Sequence, residues 1–223
     1  MSGTLYIVAT PIGNLGDITE RALETLRNVD VILAEDTRNT GKLLMHFDIK
    51  TSVQSYHQHS SEKDVKKIVE LLENGKNLAL VTDAGTPGIS DPGNKLIEDL
   101  RMKIEDLTIV PVPGVSAVTT ALSISGFPTD KFLFLGFPPA KNKRKKYFEE
   151  LAQYPFTTCF YESCHRIEKA IDNLAEVLDA DRQVCICREL TKKFETVYRG
   201  TIAEIKEMDI LAKGEFVIIV HKV

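Results

Sequence analysis

Short apolar runs alternate with amphipathic helical stretches through the first 110 residues, and this alternation restricts the fold more than any other feature. Residues 4–9, 31–34, 52–56, 78–82 and 107–110 read as strands, and residues 19–27, 38–46, 61–73 and 94–101 as the helices between them. Strands that alternate with helices pair with parallel neighbours, so a mostly parallel sheet covered by helices is expected. The segment Pro111-Val-Pro-Gly114 interrupts the pattern, and Ser116 is a suitable N-cap for a helix running to Leu122.

The second half reads differently. Strands at 131–136, 157–161, 184–188, 196–200 and 216–221 outnumber helices at 143–152 and 166–178, with one short helix before the last strand. Several strands lie close together in sequence, which predicts a mixed sheet with antiparallel edges. Two α/β domains are expected, 1–113 and 114–223, with the join falling between Pro111 and Phe127.

A chain of 223 residues with 43% hydrophobic content can bury a substantial core. No apolar run reaches the roughly 18 residues of a membrane span, and the N-terminus has no basic n-region, so a soluble cytoplasmic protein is the default expectation. The net charge of −4 does not by itself favour nucleic acid, but charge is unevenly spread, so local basic clusters matter more than the total. Cys159, Cys164, Cys185 and Cys187 lack the density of a disulfide scaffold. Without CxxC spacing they do not form a zinc signature, and no metal is expected. Cys185 and Cys187 flank Ile186 in a strand and should share one face.

Chemistry is concentrated in the loops. Residues 83–93 separate a strand from a helix by more than the about 2 to 6 residues that such a connection needs. Gly85, Gly88 and Gly93 let a ligand approach the main chain, while Pro87 and Pro92 stiffen the loop. Open α/β sheets bind ligands outside the carboxyl ends of their strands, so a small molecule is expected here. Nucleotide signatures fail. Gly13 and Gly16 do not make GxGxxG, and after Gly88 and Gly93 a Walker A motif would need Lys where Asn94 stands. Asp91 would also repel a triphosphate.

Seven segments together carry a family resemblance. They are Ala9-Thr-Pro-Ile-Gly-Asn-Leu-Gly-Asp17, Ala34-Glu-Asp-Thr-Arg38, Ser55-Tyr-His57, Asp83-Ala-Gly-Thr-Pro87 with Ser90-Asp-Pro-Gly93, Pro113-Gly-Val-Ser-Ala117, Tyr161-Glu162 with His165-Arg166, and Arg188-Glu-Leu-Thr-Lys192. In this order, over nearly the whole chain, they resemble the ribosomal-RNA-modifying branch of the tetrapyrrole-methylase-like (class III) S-adenosylmethionine-dependent methyltransferases. Ile12 and Asn14-Leu15 replace part of the denser glycine loop of the tetrapyrrole enzymes, as in the RNA-modifying branch. Cys164 stands where that branch commonly has proline.

The resemblance implies a cytoplasmic homodimer that uses S-adenosyl-L-methionine to methylate the ribose 2′-oxygen of a cytidine in the decoding region of 16S, small-subunit, ribosomal RNA. It also implies a cofactor folded between the domains. The implied cofactor contacts are Pro11, Asp83, Ala84, Gly85, Thr86, Pro87, Val115, Ser116, Ala117, Tyr161, Leu190, Gly214 and Glu215. Glu35, Arg38, His57 and Glu162 are the candidate catalytic or orienting groups, with Asp36 and His165 weighed beside them. The cofactor's adenosine, carboxylate, ammonium and sulfonium call for backbone hydrogen bonds and an apolar slot rather than a phosphate cradle.

The run Lys141-Asn-Lys-Arg-Lys-Lys146 puts cations at the predicted start of a helix. There they oppose the macrodipole by about 0.3 to 1 kcal/mol each, a cost that an anionic partner would reverse. Lys141, Lys143, Arg144, Lys145 and Lys146 are therefore expected to contact RNA phosphates, with Arg166 and Lys192 as further clamps. The chain has no Trp, which leaves Tyr and Phe for any stacking on bases. A methyltransferase of the same fold acting on a tetrapyrrole or a protein side chain, and a non-catalytic RNA-binding module, remain open alternatives.

Overall fold

The computed structural model describes residues 2–57, 60–91 and 93–222. The chain divides into two compact units, residues 1–116 and 117–223.

Unit 1 contains five strands, β1 (Thr4–Val8), β2 (Val31–Ala34), β3 (Ser52–Ser55), β4 (Leu78–Val81) and β5 (Thr108–Val112). All pair in parallel, in the order β3-β2-β4-β1-β5. β4 is the central strand and is buried along its length, as the unbroken apolar run Leu78-Ala-Leu-Val81 demands. Pro111, which cannot donate to a ladder, lies on the edge strand β5. The helices are α1 (Glu20–Asn28), α2 (Thr37–His46), α3 (Glu62–Glu73) and α4 (Asn94–Lys103). The first three begin where local sequence provides an acceptor for free amides, while α4 starts at Gly93 without a side-chain cap. Thr19 caps α1, Asp36 caps α2, and Ser61 with Asp64 forms a reciprocal capping box on α3. The faces of the sheet bury separate apolar clusters. One contains Leu5, Leu33, Leu78, Leu80, Leu96 and Leu100, and the other Val8, Leu26, Ile32, Ala79 and Val81.

Unit 2 opens with α5 (Ala117–Ser125) and holds β6 (Phe132–Phe134), α6 (Arg144–Gln153), β7 (Thr157–Ser163), α7 (Ile167–Val177), β8 (Gln183–Arg188), β9 (Thr196–Thr201), α8 (Ile202–Glu207) and β10 (Glu215–Val220). Its sheet runs β6-β7-β10-β8-β9, parallel between β6 and β7 and antiparallel elsewhere. One face buries Phe160, Ile186, Phe216 and Ile218 beneath Phe148, Ile171 and Leu174 of the helices. Period 2 sends Cys159, Cys185 and Cys187 to the opposite face. There the Cys185 and Cys187 sulfurs lie 3.9 Å apart as buried free thiols. Burial lifts the Cys159 thiol to about 12, so it stays neutral. Among the described residues, no helix is long and apolar enough to cross a membrane.

Candidate active site

The long loop of unit 1 leaves β4, the central strand, and its first half is fastened on both sides. Thr10, at the end of β1, exchanges two backbone bonds with Gly85, N–H to O at 2.9 and 3.0 Å, and its hydroxyl donates to the Thr82 carbonyl. The Thr86 hydroxyl donates to the Val115 carbonyl at 3.1 Å. Three segments named from sequence, Pro11, Asp83 to Pro87, and Val115, are therefore brought together at the carboxyl ends of β1, β4 and β5. Gly85 has φ +85°, a left-handed conformation that only glycine adopts without strain. A Cβ on Gly114 would come within 3.0 Å of the Ala9 Cβ, so the two chains touch there because a side chain is missing.

The second half of the loop turns on Gly88 and Gly93, with the Asn94 side chain donating to the Gly88 carbonyl. Pro92 lies outside the described residues. Ser90 takes φ +59° and leads into Asp91, whose half-buried carboxyl is unusual for its residue type. Burial, with the nearby charges of Glu35 and Asp83, raises Asp91 to about 6, and a hydrogen bond with Thr82 opposes the rise. The buried Thr82 hydroxyl, however, already donates to Glu35 Oε2 at 3.1 Å. A hydroxyl has one proton to give. While Thr82 serves Glu35, Asp91 satisfies Thr82 best by holding a proton itself, which reinforces the upward direction.

Glu35, at the end of β2, and Asp83, at the end of β4, thus join Asp91 in an acidic strand-end group. Asn39 of α2 donates to Asp83 at 3.3 Å. Arg38 reaches back to Asp36 through two side-chain bonds of 3.1 and 2.7 Å and holds that carboxyl near 2; it also feels the charge of Asp83. His57 is exposed beyond β3, its amide bonded to the Ser60 hydroxyl and its charge acting on Asp64 at the start of α3. Among the described residues, no group of three or more His, Cys, Asp or Glu side chains is arranged to hold a metal ion.

In unit 2, four residues named from sequence are held by partners within the fold. Glu162, expected at the reacting centre, is only 1% exposed on β7. Its two oxygens meet Arg144 at 3.0 Å and Arg166 at 2.9 Å, and one also accepts from the Ser163 amide. A carboxylate bound in this way ties β7 to Arg144 of α6 and to Arg166 at the start of α7. Arg144, expected on phosphate, is 4% exposed and divides its donors among Glu162, Asn173 and the Pro139 carbonyl. Arg166 is partly buried in the same cluster. Lys192, expected as a clamp on RNA, is held between Glu189 and Glu215 at 2.9 and 2.8 Å. Spacing gives a charge but not its partner, so the sequence alone assigned Arg144, Arg166 and Lys192 to RNA.

Of the basic run, Lys141, Lys143, Lys145 and Lys146 remain exposed. Lys145 and Lys146 make long helical pairs with Glu149 and Glu150, whereas Lys143 stands at the α6 N-cap in a left-handed conformation, φ +67°. The remaining residues inferred for the cofactor form two local sites. Tyr161 packs edge-on to Phe134, with ring centroids 4.9 Å apart. Leu190, Gly214 and Glu215 share a tight corner in which a Cβ on Gly214 would strike the Glu189 carboxyl group. Ser116 and Ala117 stand at the start of α5. Sequence reasoning passed over Thr10, Thr82 and Asn39, and it weighed Asp91 as a charge that would repel a triphosphate. Their signal is the recurrence of hydroxyl, amide and carboxyl groups immediately after successive strands.

Two α/β units, with a parallel sheet in the first and a mixed sheet in the second, and a specialised loop after β4 define a class III methyltransferase. Residues 4–206 match the family model of the Tetrapyrrole (Corrin/Porphyrin) Methylases. The fold is similar to that of the methyltransferase CobJ, with a TM-score of 0.73 at 17% identity, covering 100% of this chain and 95% of that one. Closer in sequence are two proteins named Ribosomal RNA small subunit methyltransferase I. The one from Vibrio cholerae is 50% identical over 222 residues, covering 97% of this chain and 76% of the relative. The one from Halalkalibacterium halodurans is 48% identical over 222 residues, covering 98% and 76%. The chain belongs to the tetrapyrrole methylase family, on the branch of the ribosomal RNA small subunit methyltransferases I.

Enzymes of this family take their methyl group from S-adenosyl-L-methionine. The residues of unit 1 suit that donor. Glycine-opened backbone lies beside Ile12 and Val115, and the acidic strand-end group matches a ligand bearing an ammonium and a sulfonium.

Proposed function

We propose that the chain transfers a methyl group from S-adenosyl-L-methionine to the ribose 2′-oxygen of a cytidine in the decoding region of small-subunit ribosomal RNA, acting as a homodimer in the cytoplasm. The observation that carries the reading is the close sequence match to proteins named for methylation of small-subunit ribosomal RNA. The exposed lysines at 141, 143, 145 and 146 support it, because phosphate contacts hold a polyanion in register without reading its sequence.

When bound, the donor supplies an electrophilic methyl on a sulfonium whose charge is lost during transfer. The protein's contribution is orientation and charge. Asp83 to Pro87, Pro11 and Val115 hold the donor through backbone groups fixed by the Thr10 and Thr86 bonds. The Glu35 and Asp83 carboxylates attract its positive end. Correct alignment of reacting groups is worth about 7 to 11 kcal/mol of a barrier at best. A ribose hydroxyl also has to lose its proton. We place the acceptor in the Glu35–Thr82–Asp91 chain, since a group titrating at about 6 works close to the range in which a general base is most effective. Arg38 and Glu35 shape the reaction pocket in this reading.

The test is transfer of labelled methyl from S-adenosyl-L-methionine to small ribosomal subunits that lack the modification, followed by mapping of the label. Label on a ribose 2′-oxygen in the decoding region is the expected result. Label on a base, a protein or a tetrapyrrole, or none at all, rejects the reading.

A further inference from the structure

The corner that joins β8 to β9 displays an aromatic ring for which the fold has no use. Residues 189–195 connect two antiparallel neighbours that a two-residue hairpin could join. The loop is nevertheless rigid. Arg188, itself buried, donates to the Phe194 carbonyl at 3.0 Å and to the Lys213 carbonyl at 2.6 Å. The Thr196 hydroxyl donates to the same Phe194 carbonyl, and the Thr191 amide donates to the Glu195 carboxylate at 2.6 Å. Backbone turns close Lys192 onto Glu189 and Glu195 onto Lys192. Glu189 and Thr191 are held at φ +52° and +66°, conformations that persist only when their surroundings over-determine them.

On this pinned loop the main chain of Phe194 is fixed by two side chains, while the residue is 66% exposed. Lys193 places its ammonium 5.6 Å from the ring centroid. The other charges are committed. Lys192 is balanced by Glu189 and Glu215, and Glu195 accepts from the Thr191 amide. Lys193 is the cation of this loop left for an outside anion. The flanking residues Lys193 and Glu195 are themselves exposed, so Phe194 is not part of the broad apolar patch that a protein partner would seek. A single exposed ring with an adjoining lysine on a rigid turn matches an unstacked nucleobase and its phosphate.

We propose that Phe194 is a stacking platform for one unpaired nucleobase of the RNA substrate, with Lys193 on the adjoining phosphate. This rests on the reading of the chain as an RNA methyltransferase and adds how the strand is held. Stacking tolerates any base, so the platform fixes the position of the strand rather than its sequence.

The chain contains no Trp, so Phe194→Trp introduces a single fluorophore at the proposed contact. Titration with small ribosomal subunits lacking the modification should quench its emission as binding saturates. Phe194→Ala and Phe194→Leu should each weaken subunit binding about 5- to 150-fold, the range for loss of one stacked base, while Phe194→Tyr retains it. Binding of S-adenosylhomocysteine and the urea midpoint should stay at wild-type values in all four variants, because the ring is exposed. Wild-type affinity in Phe194→Ala or Phe194→Leu, or unchanged Trp emission on a subunit that binds, overturns the platform alone. Failure of the wild-type protein to bind subunits at all overturns the platform and the RNA reading together.

Discussion

Replacing Asp91 by Asn should stabilise the protein above neutral pH and leave it unchanged in acid. The carboxyl rises from 3.8 to about 6 on folding, chiefly through burial and then through the charge of Glu35. A carboxyl whose pKa is raised by folding binds its proton more tightly in the native state. Its contribution is therefore fully present below about pH 4 and is lost as pH rises through about 6. A shift of about 2 units corresponds to about 3 kcal/mol at roughly 1.4 kcal/mol per unit. Asp91 keeps much of its contact with water, so screening reduces the figure to about 1 to 1.5 kcal/mol. Asn has nearly the same shape and still offers Thr82 a partner without carrying charge. Urea unfolding of both proteins between pH 4 and pH 8 should give nearly equal stabilities at the acid end. By pH 8 the variant should lead by about 1 kcal/mol, with half of the difference appearing near pH 5, midway between the unfolded and folded values. Titration of every other carboxylate is common to the two proteins and cancels. A difference that is constant with pH, or that favours wild type as pH rises, refutes the assignment of Asp91 as a carboxyl strained by its neighbours.

Glu162→Ala should destabilise unit 2 by about 3 to 5 kcal/mol, because it leaves Arg144 buried without its counter-charge. Joint replacement of Glu162 and Arg144 by Leu should cost less than the single change, and urea unfolding of the two variants measures the difference. Thr191→Gly should raise stability by about 1 kcal/mol. It relieves about 1 to 3 kcal/mol of left-handed strain against about 1 kcal/mol for the greater freedom of an unfolded glycine. It also removes a buried hydroxyl that has no hydrogen-bond partner among the described residues. Thermal unfolding of that variant is the check, and a lower midpoint would show that the hydroxyl or the methyl group holds the corner.

Features that depend on neighbours in sequence were legible. Thr19, Asp36 and Ser61 cap their helices because a side-chain oxygen two or three residues upstream reaches the free amides, and that distance is written in the chain. The parallel sheet follows in the same way from helices inserted between strands. Features that depend on partners brought in by folding were not legible. Arg144 lies in a run of exposed lysines, and nothing in its spacing distinguishes it from them. Its partner Glu162 is on a strand eighteen residues away, and only the packing of α6 on β7 brings them together. The pairing of Lys192 was hidden for the same reason, since Glu215 arrives from β10. In the β4 loop, glycine and proline suggested a ligand, but the burial that perturbs Asp91 is a property of the folded neighbourhood.

The two units hold their working segments by the same physical means. A strand ends, and a polar group beside its last residue fastens the following loop to a second segment through main-chain carbonyls. In unit 1 the Thr10 hydroxyl bonds Thr82 and the Thr86 hydroxyl bonds Val115. In unit 2 the Arg188 guanidinium bonds Phe194 and Lys213. Carbonyl acceptors leave a side chain such as the Phe194 ring to face outward, whereas pairing the side chains themselves would use up the groups that meet a ligand. The cost appears as left-handed backbone at the non-glycine residues Ser90, Glu189 and Thr191. A methyl transfer needs that rigidity, because alignment of an oxygen with a methyl carbon lowers a barrier only if the loops do not have to be ordered at the moment of reaction.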